Sequence, residues 1–511
     1  METNGKIKHD VRDDEDDEKQ PLLGADHKEP IWRQYIAAMT AALLSMATGC
    51  CGGWSSSAVP LLMEGLASDL GGIDRLNSEQ VSWVTSLLNL GSLFGSIPAG
   101  QMSFYFGRRK FLLMLGGLLV ISWMLIIWNF NHVELLYLGR FLAGFCAASC
   151  NVALAMYSNE ICSDKIRGQS GSFYDLMQVF GILFVYSVSA ITTLFWSSMI
   201  CLMVPVCFVC VFYWMPESPL HLIKNGYKTE AIKSIRWLHG EHCDVEKELT
   251  KIYLALLEGK ECEVEDDEEL SYLVSIRKFY NSLSKTTIKA FAIVLSLFVI
   301  QRSSGAPMVV YYTVDVFEST NASISPLTAT VCAGASQLFF SIISVSLVDR
   351  VGRKILIRIS CSVMILCLSV YVTYMCLLSG GYSVSEDYSW LATLSICLFV
   401  GIYRLGISPI PFFLCTELVP VEAQKWALPK MFFIGWGVAF IWSKSYLAAV
   451  ASFGYVIVFL FFMFICLLGL LITLIIPETK NKSRLEIQAE LGAPVAKYVE
   501  LKSNAVIIIE D

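Results

Sequence analysis

Charge is what this sequence has least of. Asp, Glu, Lys and Arg make up 16% of its 511 residues, while hydrophobic types make up 55%. A water-soluble chain of this length carries nearer a quarter charged residues, so the composition points to a polytopic membrane protein. A cleavable leader is also missing: the first thirty residues are polar and acidic ("RDDEDDEKQ"), with no apolar core of the kind a signal peptide needs. Metal-ligand spacings, nucleophile–base constellations and cofactor motifs are lacking too. The reading is therefore not an enzyme, with no cofactor, no metal and no nucleic-acid partner. Cysteine is plentiful at seventeen residues, yet Cys201, Cys207, Cys210, Cys361, Cys367 and Cys466 fall inside apolar runs. There they read as small buried hydrophobes rather than as a disulfide framework.

What is present is long apolar sequence. A bilayer core of about 30 Å takes about 20 mostly apolar residues per helix. Runs of that length cover 35–57, 80–102, 111–130, 135–158, 170–194, 197–215, 288–313, 324–348, 355–378, 390–415, 427–450 and 454–476, numbered here as spans one to twelve. An even number of spans and a cytosolic N-terminus place both termini inside. The loops then assigned inside carry Arg108, Arg109, Lys110, Lys165, Arg167, Arg350, Arg353, Lys354, Arg358, Lys425 and Lys430, and those outside carry only Arg75. That imbalance is what the positive-inside rule requires. Asn321-Ala322-Ser323 is then a glycosylation sequon on the outer side. The other sequon, at Asn481, lies in the cytosolic tail and is expected to stay unmodified.

The expected organisation is an acidic cytosolic tail (1–32), a six-helix half (33–216), a cytosolic helical linker (217–286), a second six-helix half (287–478) and a cytosolic tail (479–511). The linker segments "TEAIKSIRWLHG" and "VEKELTKIYLALLEG" carry apolar residues at helical spacing, as a small cap would. The halves echo each other: "FGRRK" (106–110) with "DRVGRK" (349–354), "SNEICSDKIRG" (158–168) with "CTELVPVEAQK" (415–425), and "PESP" (216–219) with "PETK" (477–480). Same-sense repeats of six spans relate the two halves of a large transporter class, which rock about a site at their interface.

Those motifs, in that order, resemble the sugar porter family of the major facilitator superfamily over about residues 33 to 490. "GRFLAG" (139–144), "PESPLHL" (216–222), "SSGAPMVVYYTVDVF" (303–317), "SPIPFFLCTEL" (408–418) and "PETKNKSRLEI" (477–487) complete the set. "GWSSSAVPLL" (53–62) is most like the arthropod facilitated trehalose transporters. The resemblance implies an all-α polytopic fold of twelve transmembrane helices in two six-helix halves. It also implies alternating access, and a central site where side-chain amides hydrogen-bond sugar hydroxyls over an aromatic platform. The implied partners are a small-molecule solute, a sugar, and the lipid bilayer.

Carried over position by position, the implied site is uneven. Gln301 keeps the first span-seven glutamine, but Arg302 replaces the second and Pro307 replaces the asparagine. The span-five glutamine becomes Asp175, with Gln178 one turn on, and Gln337 fills the span-eight asparagine position. Arg404 stands in span ten, Phe412 replaces the platform tryptophan, and the span-eleven Asn-Trp pair reads Gly435-Trp436. An ionisable residue at a helix centre costs about 2.5–3.5 kcal/mol on insertion scales, so Asp175, Arg302 and Arg404 should face the interior or each other. Gly305 and Pro307 can break span seven there, because the freed carbonyls would meet a cavity rather than lipid. Three uses of the charged set stay open: an ion pair of Asp175 with Arg302 or Arg404, polyol binding by carboxylate and guanidinium, or an anionic or zwitterionic substrate.

Proton-coupled members usually carry an aspartate in span one. The equivalent run "MATGCCGGWSSSAV" (46–59) has no carboxylate, which favours facilitative (uniport) transport of trehalose or a hexose. A solute receptor or sensor with little flux, and a transporter of a charged or zwitterionic non-sugar, are the rival readings. The implied cytosolic gate comprises Arg108, Arg109, Glu160, Arg167, Asp349, Arg350, Arg353 and Glu417. Phe104, Tyr105 and Gln424 stand where charged partners are usual, so a looser gate is expected. "EKQPLL" fits an acidic dileucine signal (Glu18, Leu22, Leu23) for a sorting adaptor, adding endosomal or lysosomal cycling to a plasma-membrane location.

Overall fold

A computed structural model of the chain describes residues 31–67, 69–240, 243–261, 284–322, 324–380, 388–480, 482 and 484–492. The sorting residues Glu18, Leu22 and Leu23 lie outside them. Within the described residues the secondary structure is helical, without strands. Span one is Ile31–Glu64, two is Ser78–Ser96 continued by Ala99–Phe106, and three to six are Arg108–Ile127, Val133–Ile161, Asp164–Ser189 and Leu194–Phe212. In the second half, span eight is Pro326–Val351, nine is Arg353–Ser379 and ten is Ser389–Leu405 followed by Ile410–Leu418.

Ten of these helices are long and apolar enough to cross a membrane, rather than the twelve expected. Two physical features account for the difference. Ser78–Ser96 carries Ser82, Thr85, Ser86, Asn89 and Ser92 on buried positions, which lowers its hydropathy. Val421–Ile472 runs as one rod, but Gly454 at φ 77°, ψ 163° interrupts the helical path between the segments assigned to spans eleven and twelve.

Within the first half, span one packs on five and six, and span four on two and three. In the second half, spans eight and ten, seven and eleven, and nine and twelve pair in a matching way. The halves meet along span two against eleven and span five against eight, so the interface keeps the symmetry of the repeat. With lipid as solvent, helix association relies on close contact between small residues. A methyl group on Gly144 would fall 1.8 Å from the Leu88 carbonyl oxygen, and one on Gly49 would fall 2.0 Å from that of Gln178. Spans two and four, and one and five, are therefore packed backbone to backbone.

Span seven is broken twice. Lys285–Ser303 ends at Gly305, whose φ of 87° is left-handed, and Pro307 opens the next turn, Ala306–Tyr311. Tyr312, at φ −125° and ψ 30°, separates that turn from Thr313–Glu318. Gly305 is doubly required, since a Cβ there would also stand 2.4 Å from Phe462 Cδ2. Between the halves, Pro219–Lys224, Lys228–His239 and Val245–Glu261 form a small helical layer with its own apolar cluster of Leu222, Ile223, Ala231, Ile235 and Leu249.

Candidate functional site

Polar side chains gather at three levels of the bundle: the end that carries both described termini, the middle, and the far end. At the far end the two halves are tied together. Thr85 Oγ1 and Tyr312 Oη are 2.6 Å apart, and Tyr312 Oη donates to the Ser443 carbonyl at 3.1 Å. Asn89 Nδ2 donates to Ser443 Oγ at 2.9 Å, while Tyr311 Oη donates to Asn89 Oδ1 at 3.1 Å. Tyr186 Oη donates to the Val310 carbonyl at 2.7 Å and the Val314 amide to Ser56 Oγ at 3.3 Å. Lys444 Nζ donates to Ser82 Oγ at 2.8 Å and lies 4.3 Å over the Trp83 ring. All of these except the Tyr312–Ser443 bond, which lies within the second half, join one half to the other, so the far end is closed. Sequence reasoning missed this network. Thr85 and Asn89, one turn apart among the buried polar positions of span two, were the available signal.

At the terminal end the candidate gate pairs stay within one half. Arg108 reaches Glu160 at 2.7 Å and Arg353 reaches Glu417 at 3.1 Å. Glu160 also accepts from the Ser218 hydroxyl, and Arg109 donates through its backbone to Glu217 at 2.9 Å and through its side chain to the Tyr213 carbonyl. Arg350 is exposed, and its carbonyl accepts from Lys480 Nζ. The side chains of Arg167 and Asp349 lie outside the described set. Phe104 is not idle: Lys224 Nζ sits 3.8 Å and Arg108 Cζ 5.5 Å over its ring, a cation–π contact where a carboxylate was expected. Gln424 Nε2 donates to the carbonyls of Thr416 at 3.0 Å and Val419 at 2.8 Å, satisfying acceptors at the end of Ile410–Leu418. Asn151 and Asn159, two turns apart on span four, are exposed. Polar positions exposed within a span line a water-accessible face more readily than a lipid one, so the terminal end is the open one.

The middle level holds the sequence-derived candidates. Gln301 is buried, and its amide nitrogen donates to the carbonyls of Ile407 at 3.3 Å and Ser408 at 2.5 Å. Those carbonyls are free because span ten leaves helical geometry at Gly406 (φ −134°, ψ −65°). Arg404 Nη1 lies 3.7 Å from Asp175 Oδ1 and donates to Ser408 Oγ at 3.3 Å. Of the two arginines considered as partners of Asp175, Arg404 is thus the one in place. The guanidinium carbon of Arg302 instead lies 4.0 Å over the ring of Trp436. Phe412 meets Phe298 edge-on at 5.1 Å and is partly exposed. Gln337 is buried on span eight, and the Gln178 carbonyl lies against Gly49.

A second buried arginine gives the contrast. Arg140 of span four, quoted above only as part of a motif, is fully buried. Each of its three nitrogens is engaged: Nε with the Val84 carbonyl at 3.0 Å, Nη1 with that of Cys51 at 2.8 Å, and Nη2 with Ser55 Oγ at 2.6 Å. The middle cluster is different. Gln301 Oε1, Arg302 Nε, Ser336 Oγ, Gln337 Oε1 and Arg404 Nε are buried and, among the described residues, unpartnered. Native interiors rarely leave such groups unmet, and here five of them fall at one level of the bundle, where a solute or water would meet them.

Two repeated helical halves, closed at one end around a polar cluster with unmet donors and acceptors, have the architecture of the major facilitator fold. Solved structures share the fold. The inward-open xylose transporter XylE from E. coli aligns with a TM-score of 0.70 at 19% identity, covering 89% of this chain and 99% of that one. Its partially occluded inward-open form also gives 0.70 at 19%, covering 88% and 100%. The chain belongs to the sugar (and other) transporter family, whose pattern matches residues 32–491. Relatives include the facilitated trehalose transporter Tret1 of Anopheles gambiae, 29% identical over 91% of this chain and 57% of that protein. Tret1 of Polypedilum vanderplanki is 27% identical over 91% of this chain and 90% of that protein. The chain spans little more than half the length of the first relative and 48% of Tret1 of Drosophila grimshawi.

Proposed function

We propose that the chain carries a sugar, trehalose or a hexose, down its gradient by alternating access. The observation that carries this reading is the middle cluster: two amide oxygens, a hydroxyl and two guanidinium nitrogens of the second half are without partners, at the level where Arg404 meets Asp175 of the first half, and the halves are sealed at the far end. An uncharged polyol entering such a place exchanges its water for several directed hydrogen bonds at once. Asp175, Gln178, Gln301, Arg302, Gln337 and Arg404 supply the polar contacts, with Phe412 and Trp436 as apolar walls. Facilitation rather than proton coupling is supported by span one, whose run 46–59 carries Thr48, Ser55, Ser56 and Ser57 but no carboxylate. The similarity to proteins named facilitated trehalose transporters supports the same class.

The terminal end is assigned to the cytosol and the far end to the outside of the plasma membrane. Asn321 is exposed just after span seven, where an outer glycan could be added. Arg108, Arg109, Glu160, Arg167, Asp349, Arg350, Arg353 and Glu417 form the cytosolic gate. Glu18, Leu22 and Leu23 direct cycling through a sorting adaptor. The test is uptake of labelled trehalose and glucose by cells expressing the Leu22→Ala, Leu23→Ala chain, with surface amount quantified alongside. Saturable uptake insensitive to proton uncouplers is expected; absence of uptake despite good surface expression would overturn the proposal.

A further inference from the structure

The charges of the middle cluster do not balance. Two guanidinium groups, Arg302 and Arg404, share one carboxylate, Asp175, and that carboxylate meets only Arg404, at 3.7 Å rather than at hydrogen-bond distance. Arg302 has no hydrogen bond and no ion pair among the described residues; its contact is the face of Trp436 at 4.0 Å. The ring contact supplies no hydrogen-bond acceptor, so the N–H donors of this guanidinium stay unmet, and a planar fork of unmet donors is the group that takes a carboxylate bidentately. Arg140 supplies the contrast within the chain, with acceptors on each of its three nitrogens.

The remaining unmet groups are of another kind. Gln301 Oε1 and Gln337 Oε1 are acceptors, and Ser336 Oγ can both accept and donate. Ser336 is held against span ten, since a Cβ on Gly401 would stand 2.2 Å from its oxygen. Gln301 is fixed by its amide nitrogen to the span-ten carbonyls, which leaves its oxygen turned away from them. Acceptors of this type suit sugar hydroxyls. A neutral sugar would satisfy them but leave the surplus guanidinium without a counter-charge in a low-dielectric setting; one negative charge on the sugar removes the surplus.

We propose that the central site takes a monoanionic sugar, a hexuronate or an aldonate, with its carboxylate against Arg302 and its hydroxyls against Gln301, Ser336 and Gln337. This rests on the sugar-transport reading and narrows its substrate. Carriage of a monoanion without a coupled ion moves charge, so the membrane potential acts on the acid and not on the neutral sugar.

The test uses the purified full chain in proteoliposomes, with labelled glucuronate, gluconate, glucose and trehalose, and a potassium gradient with valinomycin to set the potential. Expected is a kcat/KM for glucuronate at least about tenfold that for glucose, with acid uptake accelerated by an inside-positive potential. Arg302→Gln should bring that ratio close to one, while Arg302→Lys, which keeps the charge but not the planar fork, should fall between. Uptake of glucose or trehalose with no transport of, and no competition by, either acid overturns the proposal and spares the sugar-transport reading. Thermal stabilisation of the unaltered chain by each solute is read in parallel. A shift with glucuronate and none with glucose supports the acid site even where flux is absent. No flux and no shift with any of the four overturns both readings. Should Arg302→Gln fail to reconstitute, competition of glucuronate against glucose on the unaltered chain decides.

Discussion

The far-end network sets a measurable bias between sealed and unsealed forms. Asn89 is buried and spans the halves with two hydrogen bonds, at 2.9 Å to Ser443 and 3.1 Å from Tyr311. Side-chain hydrogen bonds inside membrane proteins average about 0.6 kcal/mol in double-mutant cycles, with a ceiling of about 1.7. Asn89→Ala should therefore weaken the seal by about 1.2 kcal/mol, or about eightfold in the ratio of the two forms. Tyr312→Phe removes one contact between the halves, with Thr85, and one within the second half, with Ser443, and predicts a smaller shift of about 0.6 kcal/mol, or about threefold. Because both routes end on Ser443, the double variant should fall short of the sum. Val314, buried behind Ser56 at the same end, offers a reporter. With Val314→Cys, labelling by a membrane-impermeant maleimide from the far side should run about eightfold faster in Asn89→Ala, after subtracting the rate of the chain with Val314 intact. Unchanged labelling in both Asn89→Ala and Tyr312→Phe, at unchanged thermal stability, would refute the view that these bonds hold the end closed.

Other outcomes follow from local geometry. Gly305→Ala combines a strained positive φ, about 1–3 kcal/mol, with overlap against Phe462, and should lower the thermal midpoint; Phe462→Leu should not restore it fully, since the backbone strain remains. Arg140→Leu should cost about 2–5 kcal/mol by stranding buried acceptors, read as a fall in the detergent-solubilised midpoint. Asp175→Asn should change stability by under about 1 kcal/mol, because its pairing with Arg404 is long and its side chain is 40% exposed. Burial holds the His221 imidazole below its ordinary range; Glu217 opposes that, and Arg108, Lys110 and Lys224 reinforce it. The unfolded chain then takes up the proton first, so the docking of Pro219–Lys224 is at full strength above the ordinary histidine range and weakens as pH falls through it. Hydrogen exchange of that helix between pH 8 and pH 5.5 should report the loss, and His221→Asn should flatten the profile.

Features that follow from one residue's own geometry were legible in the sequence. The break in span seven is of that kind, since Gly305 tolerates φ > 0 and Pro307 cannot continue the preceding helix. The repeat of the halves was legible because the loop motifs recur. Span counting was less sure: burial of serines between helices and a kink at Gly454 both escape a hydropathy count. At the site, the sequence named the charged residues but not their pairing, because the rotation of span ten decides whether Arg404 or Arg302 faces Asp175. It also could not say where Gln301 points. Its amide is drawn to carbonyls that exist as free acceptors only because span ten leaves helical geometry at Gly406. Phe104 and Gln424 looked like losses at the gate, yet a ring face and a capping amide occupy those roles.

The grip of Gln301 on Ile407 and Ser408 has a kinematic consequence. Spans seven and ten each have their weakest point at this depth, and one side chain pins the two weak points together. Neither can flex without dragging the other, so the second half should behave here as a single lever with one axle rather than as two independent hinges. Replacing the pin with glutamate would keep the size and remove the donor. The two segments would then be free to move out of step, and the timing between solute release and reopening would be the property that suffers first.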